Sequence, residues 1–155
     1  MTLSRKLIEH LNREGIQYDI LPHTVTYTAQ ETAASIHTTG KEVAKAVIVT
    51  DGRQYAMAVL EAPQHLDLGK FARVSGMDEP RLATETEIRN LFSDCEVGAM
   101  PPFGSLYGIT TWVDSSLDQD EHISFDGGSH YEVMRISYED FKNLVKPRAA
   151  GIAAG

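Results

Sequence analysis

The sequence predicts an α+β fold built on a mixed, largely antiparallel sheet with helices around it. Three observations carry that expectation. Several segments repeat apolar residues at helical spacing behind capping side chains. Two pairs of apolar runs are split by Asp51-Gly52 and by Gly127-Gly128, the turn chemistry of β-hairpins. Helices and hairpins interleave without regular β-α-β alternation and without an internal repeat, which disfavours a doubly wound parallel sheet.

Taken in order, Leu3, Leu7, Ile8 and Leu11 define an amphipathic helix over about 3–14 that stops at Gly15. A short strand, IQYDIL, follows. Thr28-Ala29-Gln30-Glu31 is a capping box, in which threonine and glutamate satisfy each other's free backbone N–H groups, and opens a helix running to about Gly40. VAKAVIV and QYAMAVLE form the first hairpin. Asp67 caps LGKFARVSG, and Thr84 with Glu87 forms a second capping box whose helix ends near Ser93. Beyond a Pro-Pro bend come GITTWV, HISFD and YEVMRIS, the last two forming the second hairpin. Ser137 and Asp140 open a final helix through Val145, and KPRAAGIAAG reads as a loose tail. The expected organisation is one domain over 1–146 with a flexible tail over 147–155.

A chain of 155 residues is long enough to bury a substantial core without staples. The single cysteine, Cys95, allows no intramolecular disulfide and no cysteine-based metal site. No apolar run approaches the length needed to cross a bilayer, and MTLSRKLIEHLNREG lacks the apolar stretch of a secretory leader, so a soluble cytoplasmic protein is expected. Lys and Arg total 14 against 22 Asp and Glu, a formal net charge of −8, which opposes extensive binding to a phosphate backbone and speaks against DNA. Lys41, Lys45, Lys70 and Arg73 are the cations available for a local positive patch.

The familiar catalytic signatures are missing. His10, His23, His37, His65, His122 and His130 show no H-x-x-x-H spacing, so no metal is called for. No G-x-S-x-G elbow, P-loop or dinucleotide fingerprint is present, and no cofactor is expected. Two features need an explanation. In VAKAVIV, alternation puts Lys45 on one face with Val43, Val47 and Val49, where it serves either to blunt a strand edge or to meet an anion in a cleft. In EVGAMPPFG, Pro101-Pro102 is bracketed by Gly98 and Gly104, a stiff bend that either joins strands or grips a ligand through main chain.

Together HTVTYTAQETA, VAKAVIVTDGR, HLDLGKFARVSG, GAMPPFG and FDGGSHYEVMRIS resemble the YbaK/prolyl-tRNA synthetase editing-domain family, over about residues 5–146. The resemblance implies an α+β editing domain with a partly closed mixed sheet that hydrolyses amino acids wrongly esterified to tRNA. In freestanding members this is trans-editing, without a synthetase body. It implies a catalytic role for Lys45 and matches the family's G-x-x-x-P loop with Gly98 and Pro102, so that Gly98, Ala99, Met100, Pro101, Pro102, Phe103 and Gly104 lie against the terminal adenosine and the ester. His23, Tyr27 and Thr28 resemble a segment lining the pocket's other side, although Thr28 already serves as a cap. Ser129 and His130 resemble residues near the pocket, although an Asp-Gly-Gly-Ser turn needs no functional reason. Met100 and Phe103 either pack or shape the pocket.

One departure matters. Some alanine-editing relatives carry asparagine after the lysine, where this chain has Ala46, so the edited amino acid stays open. The chemistry the resemblance implies needs neither metal nor protein nucleophile: an ordered water, backbone donors on the oxyanion and the ribose hydroxyl beside the ester suffice, with Lys45 holding substrate or phosphate by charge. The expected partner is the acceptor end of a mischarged tRNA, presented by an aminoacyl-tRNA synthetase or an elongation factor. The competing readings are a binding or regulatory module of the same fold without catalysis, and hydrolysis of another small acyl ester or amide.

Overall fold

The computed structural model describes residues 3–22, 43–130 and 132–155. The capping box at Thr28 and the helix expected to follow it lie outside these residues, as do Lys41, His23 and Tyr27.

Helix α1 spans Arg5–Arg13, and Ser4 caps it by accepting from the Leu7 N–H. Strand β1, Asp19–Pro22, is shorter than the run IQYDIL. Strands β2, Ala44–Thr50, and β3, Tyr55–Glu61, form the antiparallel hairpin expected across Asp51-Gly52. Helix α2, Leu68–Ser75, is capped by Asp67. A two-residue strand β4, Arg81–Leu82, precedes helix α3, Glu85–Leu91, whose Thr84–Glu87 capping box is fully formed. The Pro-Pro bend runs into a 3-10 turn over Gly104–Tyr107. Then come β5, Thr110–Asp114, β6, His122–Asp126, β7, Glu132–Ser137, and helix α4, Tyr138–Val145, capped by Ser137.

The strands form a sheet in the order β1-β7-β6 and a second, β4-β2-β3-β5, which the last residues extend. Pairing is antiparallel except for β3 with β5 and β5 with the added strand. Among the described residues one parallel bridge, Val43 with Ser124, joins the two sheets. The sheet is mixed and open.

The expectation of a loose C-terminal tail is corrected. Arg148–Ala150 is strand β8, parallel to β5, and Ile152 is fully buried. Asp114 holds this segment by accepting from the N–H groups of Ile152 and Ala153 at 2.9 and 3.0 Å, and Lys70 donates to the Ala153 carbonyl.

Strand alternation sorts the core onto two faces. Ala44, Ile48, Met57, Val59, Ile123, Phe125, Met134 and Ile136 pack with Leu7 and Leu11 of α1, Phe92, Phe103 and Phe141. On the other face Val49, Ala58, Leu60 and Trp112 pack with Phe71 of α2 and Ile152. Lys45 shares this second face, as its alternation with the valines requires.

Candidate functional site

Lys45 is not on a free sheet edge. It is paired with Leu60 of β3, while β4 covers only Val49 and Thr50 on the other side and the bridge to β6 lies at Val43. Lys45 therefore stands at the gap between two sheets. It is half-buried, and that burial holds its pKa below the usual lysine value. Among the described residues no carboxylate pairs with it.

The parallel bridge sets what lies across the gap. Two residues on from Val43 is Lys45, and two residues on from Ser124, in the same direction, is Asp126. Side chains two apart on a strand share a face, so Lys45, near the start of β2, and Asp126, at the finish of β6, project to the same side of the junction. They form no ion pair.

Beyond Asp126 the chain enters the Gly127–His130 turn, which is held from two directions. From α1, the Ser4 N–H donates to the Gly127 carbonyl at 2.7 Å, and the Ser4 hydroxyl donates to Asp94, which also accepts from the Tyr107 hydroxyl. Gly128 has φ +105, and a Cβ there would lie 2.9 Å from the Ser4 nitrogen, so only glycine fits so close to the helix start. From the other side, the Gly128 N–H donates to the Ala99 carbonyl at 2.8 Å, and the Glu96 N–H donates to the Gly128 carbonyl at 2.9 Å. The His130 N–H reaches Glu96 Oε2, and His130 Nε2 lies 3.0 Å from the Val97 carbonyl. A carbonyl can only accept, so Nε2 carries a proton in that contact. The loop before the prolines and the turn after β6 are thus one hydrogen-bonded unit, as long as both keep their backbone geometry.

Within this unit Gly98 is the exposed position. It has φ +88, a Cβ there would lie 3.5 Å from His130 Cε1, and its N–H rests on Met100 Sδ at 3.2 Å, a weak acceptor. The other residues expected to contact substrate are turned inward. Ala99, Met100, Pro101, Pro102, Phe103, Gly104 and Ser129 are all buried. Phe103 sits among His10, Phe125 and Phe141, and its side chain is core, not pocket wall. Gly104 is required by packing, since a Cβ would lie 2.4 Å from Thr111 Oγ1. The reading of 98–104 as a continuous wall of open backbone groups is therefore narrowed to Gly98 itself.

Asp126 is the residue that sequence reasoning missed. Burial, reinforced by Glu96 and opposed by His130, pushes its carboxyl up to about 7. Its Oδ1 is buried with no hydrogen-bond partner among the described residues. A signal was present: alternation along HISFD places His122, Ser124 and Asp126 on one face.

Cys95 is placed unfavourably for a nucleophile. It is buried, and burial raises its thiol to about 12, far from thiolate formation. No cluster of three or more His, Cys, Asp or Glu able to hold a metal occurs among the described residues. A cleft of about 570 Å³ beside Tyr18, His122 and Arg135 lies at the opposite end of β6 and β7 from Gly98.

A family model described as "Aminoacyl-tRNA editing domain" matches residues 23–144. The chain belongs to the aminoacyl-tRNA editing domain family. Among curated proteins it is 24% identical over 148 residues to the multifunctional Ser/Thr-tRNA deacylase ProXp-y of Escherichia coli strain K12, covering 92% of this chain and 88% of that one. Among solved structures it resembles a putative trans-editing enzyme for prolyl tRNA synthetase, with TM-score 0.86 and 22% identity over 98% of this chain and 97% of the other. A hypothetical protein gives TM-score 0.87 at 22% identity over 97% of this chain and all of the other. These structural likenesses show the editing-domain fold. No helix among the described residues is long and apolar enough to cross a membrane.

Proposed function

We propose that this chain is a freestanding trans-editing enzyme that hydrolyses the ester of mischarged aminoacyl-tRNA. The observation that supports the reading is a half-buried Lys45, paired with no carboxylate among the described residues, beside the Val43–Ser124 bridge to β6, the strand that runs on into the turn whose His130 holds the Gly98 loop. Family membership supplies the reaction class.

The chemistry follows from what each group can do. Water attacks the ester carbonyl carbon, the bond from that carbon to the terminal ribose oxygen breaks, and the ribose oxygen takes up a proton. The products are the free amino acid and uncharged tRNA. The Gly98 N–H, held only by a thioether, is the donor that can turn to the developing oxyanion. The ribose hydroxyl beside the ester assists by proximity. Lys45 holds the terminal phosphate, and the anion relieves the cost of burying its ammonium. His130 acts through the Val97 carbonyl, fixing the loop on which Gly98 sits. Cys95, with its raised thiol pKa, takes no part.

The edited amino acid is tested, not assumed. Purified protein is incubated with a panel of mischarged tRNAs, beginning with seryl and threonyl esters because a relative is named for them, and ester loss is followed. Wild type should clear at least one ester. Lys45→Ala should melt at nearly the wild-type temperature, as a half-exposed substitution within ~0.5 kcal/mol does, and lose most of the activity. Lys45→Arg, which replaces a compact ammonium with a wide fork, should recover only part. Binding of every tRNA without release of any amino acid would favour the non-catalytic module.

A further inference from the structure

The mechanism above leaves Asp126 without a task. Its placement is specific: it ends β6 on the side that Lys45 faces at the start of β2, and it is the last residue before the turn that carries His130. Of the two carboxylates beside His130, Glu96 is engaged, accepting from the His130 N–H. Asp126 keeps one oxygen out of water without any hydrogen bond among the described residues, while the residue as a whole remains partly exposed. A buried carboxyl oxygen without a donor is costly, so a donor arriving with the ligand has much to gain there.

The substrate carries one suitable donor. For an amino acid without a basic side chain, an aminoacyl-tRNA end has anionic phosphates and a single cation, the α-ammonium group next to the ester carbonyl. Among the described residues Lys45 pairs with no carboxylate, Asp126 pairs with no cation, and the two form no ion pair with each other. We propose that Asp126 anchors the α-ammonium group of the aminoacyl ester while Lys45 takes the phosphate, so that the two charges orient the carbonyl against Gly98. The substrate class is then an ester with a free amino group, and N-acylated esters, including peptidyl-tRNA, are excluded. This rests on the deacylase reading, and it adds a specificity that reading does not require.

The test compares free and N-acetylated forms of the same mischarged tRNA from the panel, with wild type and Asp126→Asn. Acetylation removes the cation and leaves the ester. Wild-type kcat/KM should fall roughly 10- to 100-fold on acetylation, the range for losing a hydrogen bond between charged groups. Asp126→Asn should lower the rate on the free form to near the acetylated level and leave the acetylated rate unchanged. Equal wild-type rates on both forms, or an equal fall on both in Asp126→Asn, would overturn the anchor while leaving deacylation standing. Binding of a non-hydrolysable aminoacyl-amide analogue of the terminal adenosine, free and N-acetylated, supplies a readout independent of turnover. If no ester is cleaved yet wild type prefers the free analogue and Asp126→Asn does not, the deacylase reading fails and the anchor survives. No preference in wild type sinks the anchor whatever the turnover.

Discussion

A carboxyl kept from water destabilises the fold whenever it ionises, and Asp126 is in that position. Its pKa stands raised to about 7 in the folded protein, through burial first and Glu96 second, with His130 opposing. For a group raised on folding, the native state binds the proton more tightly than the unfolded chain does. The contribution is complete below the ordinary carboxylate value and is lost as pH rises through 7. Asp126→Asn has no such titration. Thermal melts from pH 4 to 8 should therefore show wild type losing stability relative to the variant by up to about 4 kcal/mol, with the variant the more stable at pH 8. Parallel curves would mean that the carboxyl is solvated in the folded protein. Gain in stability together with loss of substrate selectivity is the pattern of a residue kept for function at the expense of the fold.

At the scale of elements, the local signals read correctly are those whose partner lies within a few residues. Asp67, Thr84 and Ser137 were legible as helix caps because capping is a contact over three positions, and all three caps form. The two hairpins were legible from their turns, and Lys45 from its alternation with three valines. What escaped depends on distant partners. Strand β4 is two residues long, too short for any period to register. KPRAAGIAAG has the composition of a loose end, but Asp114 supplies acceptors and Phe71 and Trp112 supply the cavity for Ile152. Asp126 was hidden differently: an Asp before Gly-Gly is already explained by turn chemistry, and only the Val43–Ser124 bridge shows that it faces the lysine's side. If the tail is part of the core, Ile152→Ala should cost about 2–4 kcal/mol in a chemical-denaturation curve, as buried aliphatic truncations do. A change below about 0.5 kcal/mol would return the segment to the status of a loose end.

Over the whole molecule, charge limits how the protein can meet a nucleic acid. The net charge is −8, Lys70 is engaged in donating to the Ala153 carbonyl, and Lys45 pairs with no carboxylate among the described residues. A long negative partner approaching such a surface gains little from counterion release and is repelled outside the immediate contact. On the deacylase reading, recognition is expected to be concentrated on the aminoacylated end, through the terminal phosphate, the ester and its neighbouring groups, and not along the body of the tRNA. Two consequences are measurable on the protein alone. Footprinting on a mischarged tRNA should show protection confined to the acceptor end. The salt dependence of binding should be shallow, with log K against log salt no steeper than about −3, the slope of a few neutralised phosphates. A substrate so weakly held benefits from being presented, so a synthetase or elongation factor that delivers the acceptor end should raise the rate at low tRNA concentration without altering the rate at saturation. Protection reaching the anticodon arm, or a slope near −8, would overturn confinement of the contact to the acceptor end.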